Sequence, residues 1–403
     1  MEYMHKYHYK YSKNVENEYI KRIEAPNVQK INLTIKPYKS GENLTLYFLP
    51  TLYTMKLVNK IEKYSSLLRE LSILLPEGAK ESLYDDIIAN ELLSTNQIEG
   101  IKSSKMEIVQ SMKSIRENDH KKPRFYSMLK SYLNILYSDN LLPRTTKDVR
   151  EIYDNITASE IDEKNKIEGP LFRKESVNVV TSTNRVIHEG VYPHYLIEQK
   201  VQELLNLLNE KSEIVMVIKI AISHYYFGYI HPFYDGNGRT SRFINSLYLN
   251  KEYDKLTAIS LSRSIDNDKK TYYDMFDMTN KIINKGELNY FIDKFLEFVI
   301  NGQKLLADEL KIKKTQLEHA KEIITLDENL NEFNDAYKEI LFIMAQIFYF
   351  SSEEYTTVQS LKKYVSISEK TLRKFLSELI DMGYIEKEGI RPAQYKISED
   401  FID

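Results

Sequence analysis

Apolar residues recur three and four positions apart over most of this 403-residue chain, the spacing of helices that bury one face. From Leu52 to Leu75 the period is helical, and Pro76-Glu77-Gly78 closes it. The same spacing predicts helices over 81–97, 105–117, 146–155, 194–209, 212–230, 238–250, 268–285 and 287–302, with a long charged helix near 301–321. Two stretches alternate instead. Lys30–Ile35 and Asn43–Phe48 flank a turn-rich Pro37–Glu42 and predict a small hairpin. Within 172–192, Val177, Val179, Val186 and Val191 stand among polar residues with Asn184 midway, which predicts a second hairpin. The first twenty residues alternate Tyr with His, Lys and Ser and read as a strand or a loose tail.

The last seventy residues carry their own pattern. Asp335–Phe348 and Thr357–Tyr364 read as helices, and a third opens with Ser368 as N-cap and runs from Lys370 to Met382. Gly383 closes it, and Tyr384–Lys387 and Gln394–Ile397 flank a Gly389/Pro392 turn. That order predicts a winged helix-turn-helix.

Composition narrows the function classes. At 403 residues the chain has room for two or three domains, and 42% apolar with 29% charged residues is ordinary for a globular protein. A net charge of −3 gives no whole-molecule attraction to nucleic acid or anionic membrane, so any basic surface is local. With no cysteine, disulfides, zinc–thiolate sites and thiol nucleophiles are excluded. The polar start, Met1 to Lys6, lacks the apolar core of a signal peptide. The most apolar stretch, Ile340–Phe350, is far short of the ~18–20 residues of a membrane span. A cytoplasmic protein without membrane partners is expected.

The chemistry concentrates in His231-Pro232-Phe233-Tyr234-Asp235-Gly236-Asn237-Gly238-Arg239-Thr240-Ser241-Arg242. A long apolar helix ends at His231, where Pro232 cannot continue it, and a new helix starts near Gly238. Two glycines between them let backbone amides turn toward one point, an anion cradle at a helix N-terminus. Arg239 and Arg242 share a face of the first turn, and guanidinium forks suit neighbouring phosphate oxygens. Asp235 offers a hard oxygen of the kind Mg²⁺ takes beside nucleotide phosphates. His231 accepts a proton near neutral pH at the rim of the cradle. Asp-Gly and Asn-Gly are also hairpin turn pairs, but helical periodicity on both sides disfavours that alternative.

This window resembles the signature of the Fic family, His-Pro-Phe-x-Asp/Glu-Gly-Asn-Gly-Arg-x-x-Arg, with every fixed position met; the resemblance extends over roughly residues 40–300. It implies an all-α core with ATP and Mg²⁺, and transfer of AMP to Ser, Thr or Tyr of a protein target, the chain itself included. By position, the resemblance makes His231 the base and Asp235 the Mg²⁺ ligand. The amides of Gly236, Asn237 and Gly238 become the phosphate cradle, Arg239 faces the departing pyrophosphate, and Arg242 grips the γ-phosphate. Phe233 becomes a buried anchor.

A second motif, Thr95-Asn96-Gln97-Ile98-Glu99-Gly100, resembles the family's inhibitory sequence. The resemblance implies that Glu99 pairs with Arg242 and keeps ATP from seating productively; on its own, the same pattern is a helix ending in a glycine C-cap at Gly100. The 172–192 hairpin resembles the flap that pairs with an extended target segment. Tyr272 and Tyr273 stand where family members enclose the adenine. By the same resemblance the chain divides into an N-terminal region with the inhibitory helix (1–110), a catalytic core (111–305), a helical connector (306–334) and the winged helix (335–403).

The remaining histidines read as structural: His224 as a satisfied core residue, His5 and His8 as part of a mobile end. Lys370, Arg373 and Lys374 make a basic strip on the expected recognition helix, which could meet DNA phosphates or a protein partner. A homo-oligomer is open. Removal of AMP from a modified target by the same residues, and a DNA-binding regulator with a sensor core, are the alternatives.

Overall fold

The computed structural model describes the chain except residues 117–122, 139–140, 158–160, 168, 170, 181–185, 390–392 and 403; Asn184 and Pro392, expected in turns, lie outside the described residues. The fold is mainly α-helical, and the chain divides into two units, residues 1–66 with 90–304 and residues 67–89 with 305–403.

The first unit opens with α1 (Met4–Lys10) and α2 (Val15–Ile23), where a strand or loose tail was expected. The alternation of polar and aromatic residues misleads because the buried positions, Met4, His5, Val15 and Arg22, fall on a helical face. Glu287 fastens this end: it accepts from the Met4 amide at 2.9 Å and from Arg22 Nη1 at 2.5 Å, an ion pair buried on both sides. His5 packs edge-on against Tyr290 rather than lying in a mobile end, and no group of three metal-ligating side chains exists among the described residues.

The first expected hairpin is present: β1 (Gln29–Ile35) pairs antiparallel with β2 (Leu44–Phe48), burying Ile31, Leu33 and Ile35 at alternate positions. The chain continues through α3 (Leu52–Ile73) and α4 (Glu77–Ile98), then α5 (Lys105–Arg116), α6 (Tyr126–Tyr137) and α7 (Thr146–Thr157). The second hairpin forms from β3 (Asn178–Val180) and β4 (Val186–Glu189). After it come α8 (His194–Asn209), α9 (Met216–Ile230) and α10 (Asn237–Glu252). Short helices α11 (Lys255–Ala258) and α12 (Leu261–Asn267) lead to α13 (Lys269–Asn280). The helix expected over 268–285 stops early: a 3₁₀ turn at Ile282–Asn284 runs into left-handed Lys285 and Gly286.

The centre of this unit is α9, packed between α8 and α10. It is apolar on every side, and all its residues from Val217 to Ile230 are buried except Gly228. A helix with no polar face has to be wrapped by others. Nearly all of α10 is buried as well, though its sequence is polar. The catalytic-looking window is therefore the connection between two core helices.

The two helices expected at 287–302 and 301–321 are one, α14 (Asn289–Leu326), which runs through Gly302, where a Cβ would stand 2.5 Å from the Ser260 carbonyl oxygen; that glycine serves close packing rather than a stop. In the second unit α15 (Ala336–Phe350) is followed by β5 (Thr356–Thr357), α16 (Val358–Leu361), α17 (Glu369–Asp381), β6 (Ile385–Glu388), β7 (Gln394–Ile397) and α18 (Glu399–Ile402). The strands form one antiparallel sheet in the order β5-β7-β6. Ser368 caps α17 as expected, accepting from the Thr371 amide, and Gly383 ends the segment at φ 83°. The helix expected over 357–364 is only the four residues of α16. No helix among the described residues is long and apolar enough to cross a membrane.

Candidate active site

The loop from 231 to 236 is shaped by two residues in left-handed backbone. His231 (φ 52°, ψ 60°) ends α9, its amide closing onto the Phe227 carbonyl at 2.9 Å, and Gly236 (φ 77°) opens α10. Left-handed geometry is easy for glycine and uncommon for a residue with a Cβ, so His231 is held by its surroundings. A side chain at 236 would also strike Thr157 Cγ2 at 2.6 Å. The Asn237 side chain braces the loop by accepting from the Phe233 amide (2.9 Å) and donating to the Phe233 carbonyl (2.8 Å). Phe233 is fully buried and stacks on Tyr153 at 3.7 Å, an anchor as expected.

The first turn of α10 has no side-chain cap. The first-turn amides of Asn237 and Gly238 precede the first intrahelical acceptor, and the dipole end points out of the helix. The Gly236 amide is directed differently, to its neighbour Asp235 Oδ1 at 2.6 Å. Arg239 is fully buried, its guanidinium beside Gly236.

Arg242 is fully buried and held by α4. Its Nε donates to Thr95 Oγ1 at 2.8 Å, and Nη2 donates to the Thr95 carbonyl at 3.2 Å and to Glu99 Oε1 at 2.7 Å. Nη1 faces Gly238 and has no hydrogen-bond partner among the described residues. Burial alone would lower the guanidinium pKa, but the Glu99 charge, with Tyr272 and the Glu99 hydrogen bond, outweighs it and holds Arg242 above its ordinary value. Any side chain at 238 would collide with the Glu99 carboxylate, so this anion sits against the helix N-terminus itself. Thr95 and Glu99 share a face of α4 by their i, i+4 spacing. Gly100 (φ 72°) caps that helix, with the Ile101 amide bonding back to the Asn96 carbonyl at 2.9 Å.

Glu99, His231, Asn237, Gly238, Tyr272 and Tyr273 line one cavity of about 170 Å³, with Val179, Ile187 and His188 of the second hairpin on its wall. That is below the ~300 Å³ at which small-molecule pockets begin. The His231 imidazole opens onto this space. Desolvation, with the His188 and Arg173 side chains, holds its pKa well below the ordinary value, to about 3. A bound polyphosphate would raise it again, since an adjacent anion favours the protonated form.

The two tyrosines are placed differently from each other. Tyr272 is buried, its hydroxyl 2.9 Å from His224 Nε2, while half-exposed Tyr273 donates to the Ile98 carbonyl at 2.9 Å. Both border the cavity, and Tyr273 also grips the end of α4, where Lys269 Nζ donates to the Gln97 carbonyl at 3.0 Å. His224 is a satisfied core residue, as read from sequence: Ser241 Oγ and Asn245 Nδ2 lie 2.9 and 2.7 Å from its Nδ1. Desolvation, with Arg242, pushes it down to about 3.

Sequence reasoning missed two residues here. Arg173 is fully buried and donates to the carbonyl of His231. His188 lies inward on β4, 2.6 Å from the Tyr229 carbonyl, with desolvation lowering it to about 4. The lone inward polar position in an otherwise apolar hairpin face was the available signal for His188. For Arg173 there was none.

Residues 143–249, which include the whole loop and both arginines of α10, match the family model described as Fic/DOC family. The chain is 26% identical over 272 residues to the protein named protein adenylyltransferase Fic from Drosophila grimshawi, covering 64% of this chain and 51% of that one. It is 30% identical over 149 residues to the protein of that name from Drosophila melanogaster, covering 37% and 26%. The chain spans about half the length of the curated relatives it matches over 250 residues or more. Among solved structures it is similar to a Fic family protein from Desulfovibrio desulfuricans G20, with a TM-score of 0.52 at 15% identity, covering 87% of this chain and 97% of that one. At that identity the likeness concerns the fold.

Proposed function

We infer that the chain is a Fic family protein and that its α9–α10 loop transfers AMP from ATP to a Ser, Thr or Tyr hydroxyl of a protein target and of itself. The observation that carries this reading is the shared cavity. One loop sets an imidazole and an uncapped helix N-terminus on the same space, with an arginine one turn in.

In this mechanism the target hydroxyl oxygen attacks the α-phosphorus of ATP. The bond to the β-phosphate oxygen breaks, pyrophosphate departs, and the hydroxyl proton passes to His231. The first-turn amides of α10 and the Arg239 and Arg242 guanidiniums meet the phosphate oxygens. Asp235 is the residue that would hold a magnesium ion, since its carboxylate is the loop's hard oxygen donor, with Oδ1 also accepting from the Gly236 amide. Such an ion would neutralise phosphate charge as the bond breaks. Tyr272 and Tyr273 border the place of the base.

Glu99 is read as the inhibitor. It meets Arg242 with a charge-assisted hydrogen bond and lies where phosphate oxygens would come. Labelled ATP with a lysate tests the whole reading. Glu99→Gly is expected to modify protein strongly, wild type weakly, and Glu99→Gly/His231→Ala not at all. Labelling that survives loss of His231 would remove it as the base.

The second reading, hydrolytic removal of AMP from a modified target, rests on Glu99 and His231 facing one cavity, where a carboxylate could orient water. Incubation with pre-modified target and no ATP separates the directions. We assign 1–110, 111–305, 306–334 and 335–403 to the inhibitory region, catalytic core, connector and winged helix. The winged helix is read as a protein-contact module rather than a DNA reader, since Arg373 and Lys374 face Glu369 and Glu378 on their own helix. A cytoplasmic location completes the proposal.

A further inference from the structure

Arg173 is a fully buried guanidinium that pairs with no carboxylate among the described residues. Its partners are carbonyl oxygens: Nε donates to His231 at 2.8 Å, Nη1 to Glu175 at 2.5 Å, and Nη2 to Val191 at 2.7 Å and Ile230 at 3.4 Å. Its own amide donates to the Pro232 carbonyl at 3.1 Å, and its carbonyl lies 3.0 Å from His194 Nδ1. Three of these contacts fall on residues 230–232, and two more, at Glu175 and Val191, flank the β3–β4 hairpin on either side.

Burying an unpaired charge is costly, and a structural clamp for carbonyls could be built from a neutral amide. A cation in this place has a second effect. It lies close enough to the imidazole that its field opposes a second positive charge there. Space is organised around it as well: a Cβ at Gly190 would stand 2.6 Å from Arg173 Nη2 and 3.2 Å from the His231 Cβ. Gly190, Arg173 and His231 are therefore in one close-packed stack, and Gly190 is the residue that follows β4.

We propose that Arg173 is the positioning residue of the reaction: it pins the left-handed backbone of His231, keeps the imidazole free to accept the target's proton, and ties that geometry to the hairpin on which the target segment would lie. This inference rests on the transfer reading above and deepens it. Arg173 acts through His231 and touches no substrate.

The test uses the full chain with Glu99→Gly as the parent. Arg173→Met is expected to lower kcat at least about tenfold, within the range that correct proton transfer contributes, with KM for ATP within about twofold. Arg173→Lys, which keeps the charge but not the fork, is expected to recover only part of kcat. Without any turnover, the His231 imidazole proton resonance in Arg173→Met should titrate at higher pH than in the parent, and in Arg173→Lys close to the parent. Should Arg173→Met not fold, the Lys variant decides, and parental kcat in it overturns the proposal. So does an Arg173→Met protein with parental kcat, or one whose KM for ATP rises in step with the fall in kcat. An inactive Glu99→Gly parent would instead sink the transfer reading, and the imidazole titration would still report on Arg173.

Discussion

Two helices of this chain begin with cations within their first turns, and they resolve them in opposite ways. On α17, Ser368 accepts from the Thr371 amide, Arg373 pairs with Glu369 at 2.7 Å, and Lys374 lies 3.7 Å from Glu378. Both of these pairs close within one helix, at the surface, where such pairs contribute little. On α10 the N-terminus has no side-chain cap, and Arg242 is answered from 143 residues away by Glu99 in a buried setting. Cations near a helix start are common raw material. What distinguishes a binding site is that its charges are left for something outside the helix to satisfy.

That contrast can be broken experimentally. The largest effect should come from His231→Ala on the Glu99→Gly parent, a loss of about 10²–10⁴-fold in transfer with ATP still bound. Replacing Lys370, Arg373 and Lys374 together by alanine should leave transfer within twofold in the same assay. Next, Arg242→Ala on that parent should weaken ATP about 10–100-fold by equilibrium dialysis, the worth of a charge-assisted hydrogen bond in a buried site. An unchanged Kd would mean that the guanidinium only holds Glu99.

A third experiment reads the buried imidazoles around the site. His188 and His224 are held neutral, down to about 4 and about 3, by desolvation with Arg173 and Arg242 respectively. The unfolded chain takes up those protons near pH 6.5, so stability is retained above that pH and lost as pH falls toward 4. Each group contributes up to about 1.4 kcal/mol per pH unit. Buried Glu91, raised to about 7 by desolvation, contributes in the opposite sense over the same window, so the check is direct: the ring resonances of His188 and His224 in the folded chain should stay at their neutral positions from pH 7 to pH 5, and protonation of either in that range would contradict neutral burial. The smallest effect belongs to α17: Ser368→Ala should cost about 1 kcal/mol in stability, by loss of the cap, and leave transfer untouched.

How much of this was legible in the sequence follows from the range of the interactions. The loop between α9 and α10 was readable because its determinants are local: a proline after the histidine, glycines at the turn, two arginines three apart. The first hairpin and the Ser368 cap were readable for the same reason. The helix over the first ten residues was not, because its buried face is defined by partners such as Glu287, far along the chain. Arg173 was invisible because it acts on carbonyls, which every residue carries. Tyr273 was expected beside a base; what the structure gives is its hydroxyl on the Ile98 carbonyl, a contact between α13 and α4 that no spacing rule encodes.

The crowding at Gly238 has a consequence over evolutionary time. As long as a glutamate stands at 99, no methyl group fits at 238, so drift at one position is coupled to the other. Descendants that shed the acidic residue would lose the tighter of two contacts, leaving Arg242 Nη1, 2.9 Å from a Cβ at 238, to resist alanine. Paired change at 99 and 238 across orthologues would then record, without any assay, which lineages still keep the contact between residue 99 and Arg242.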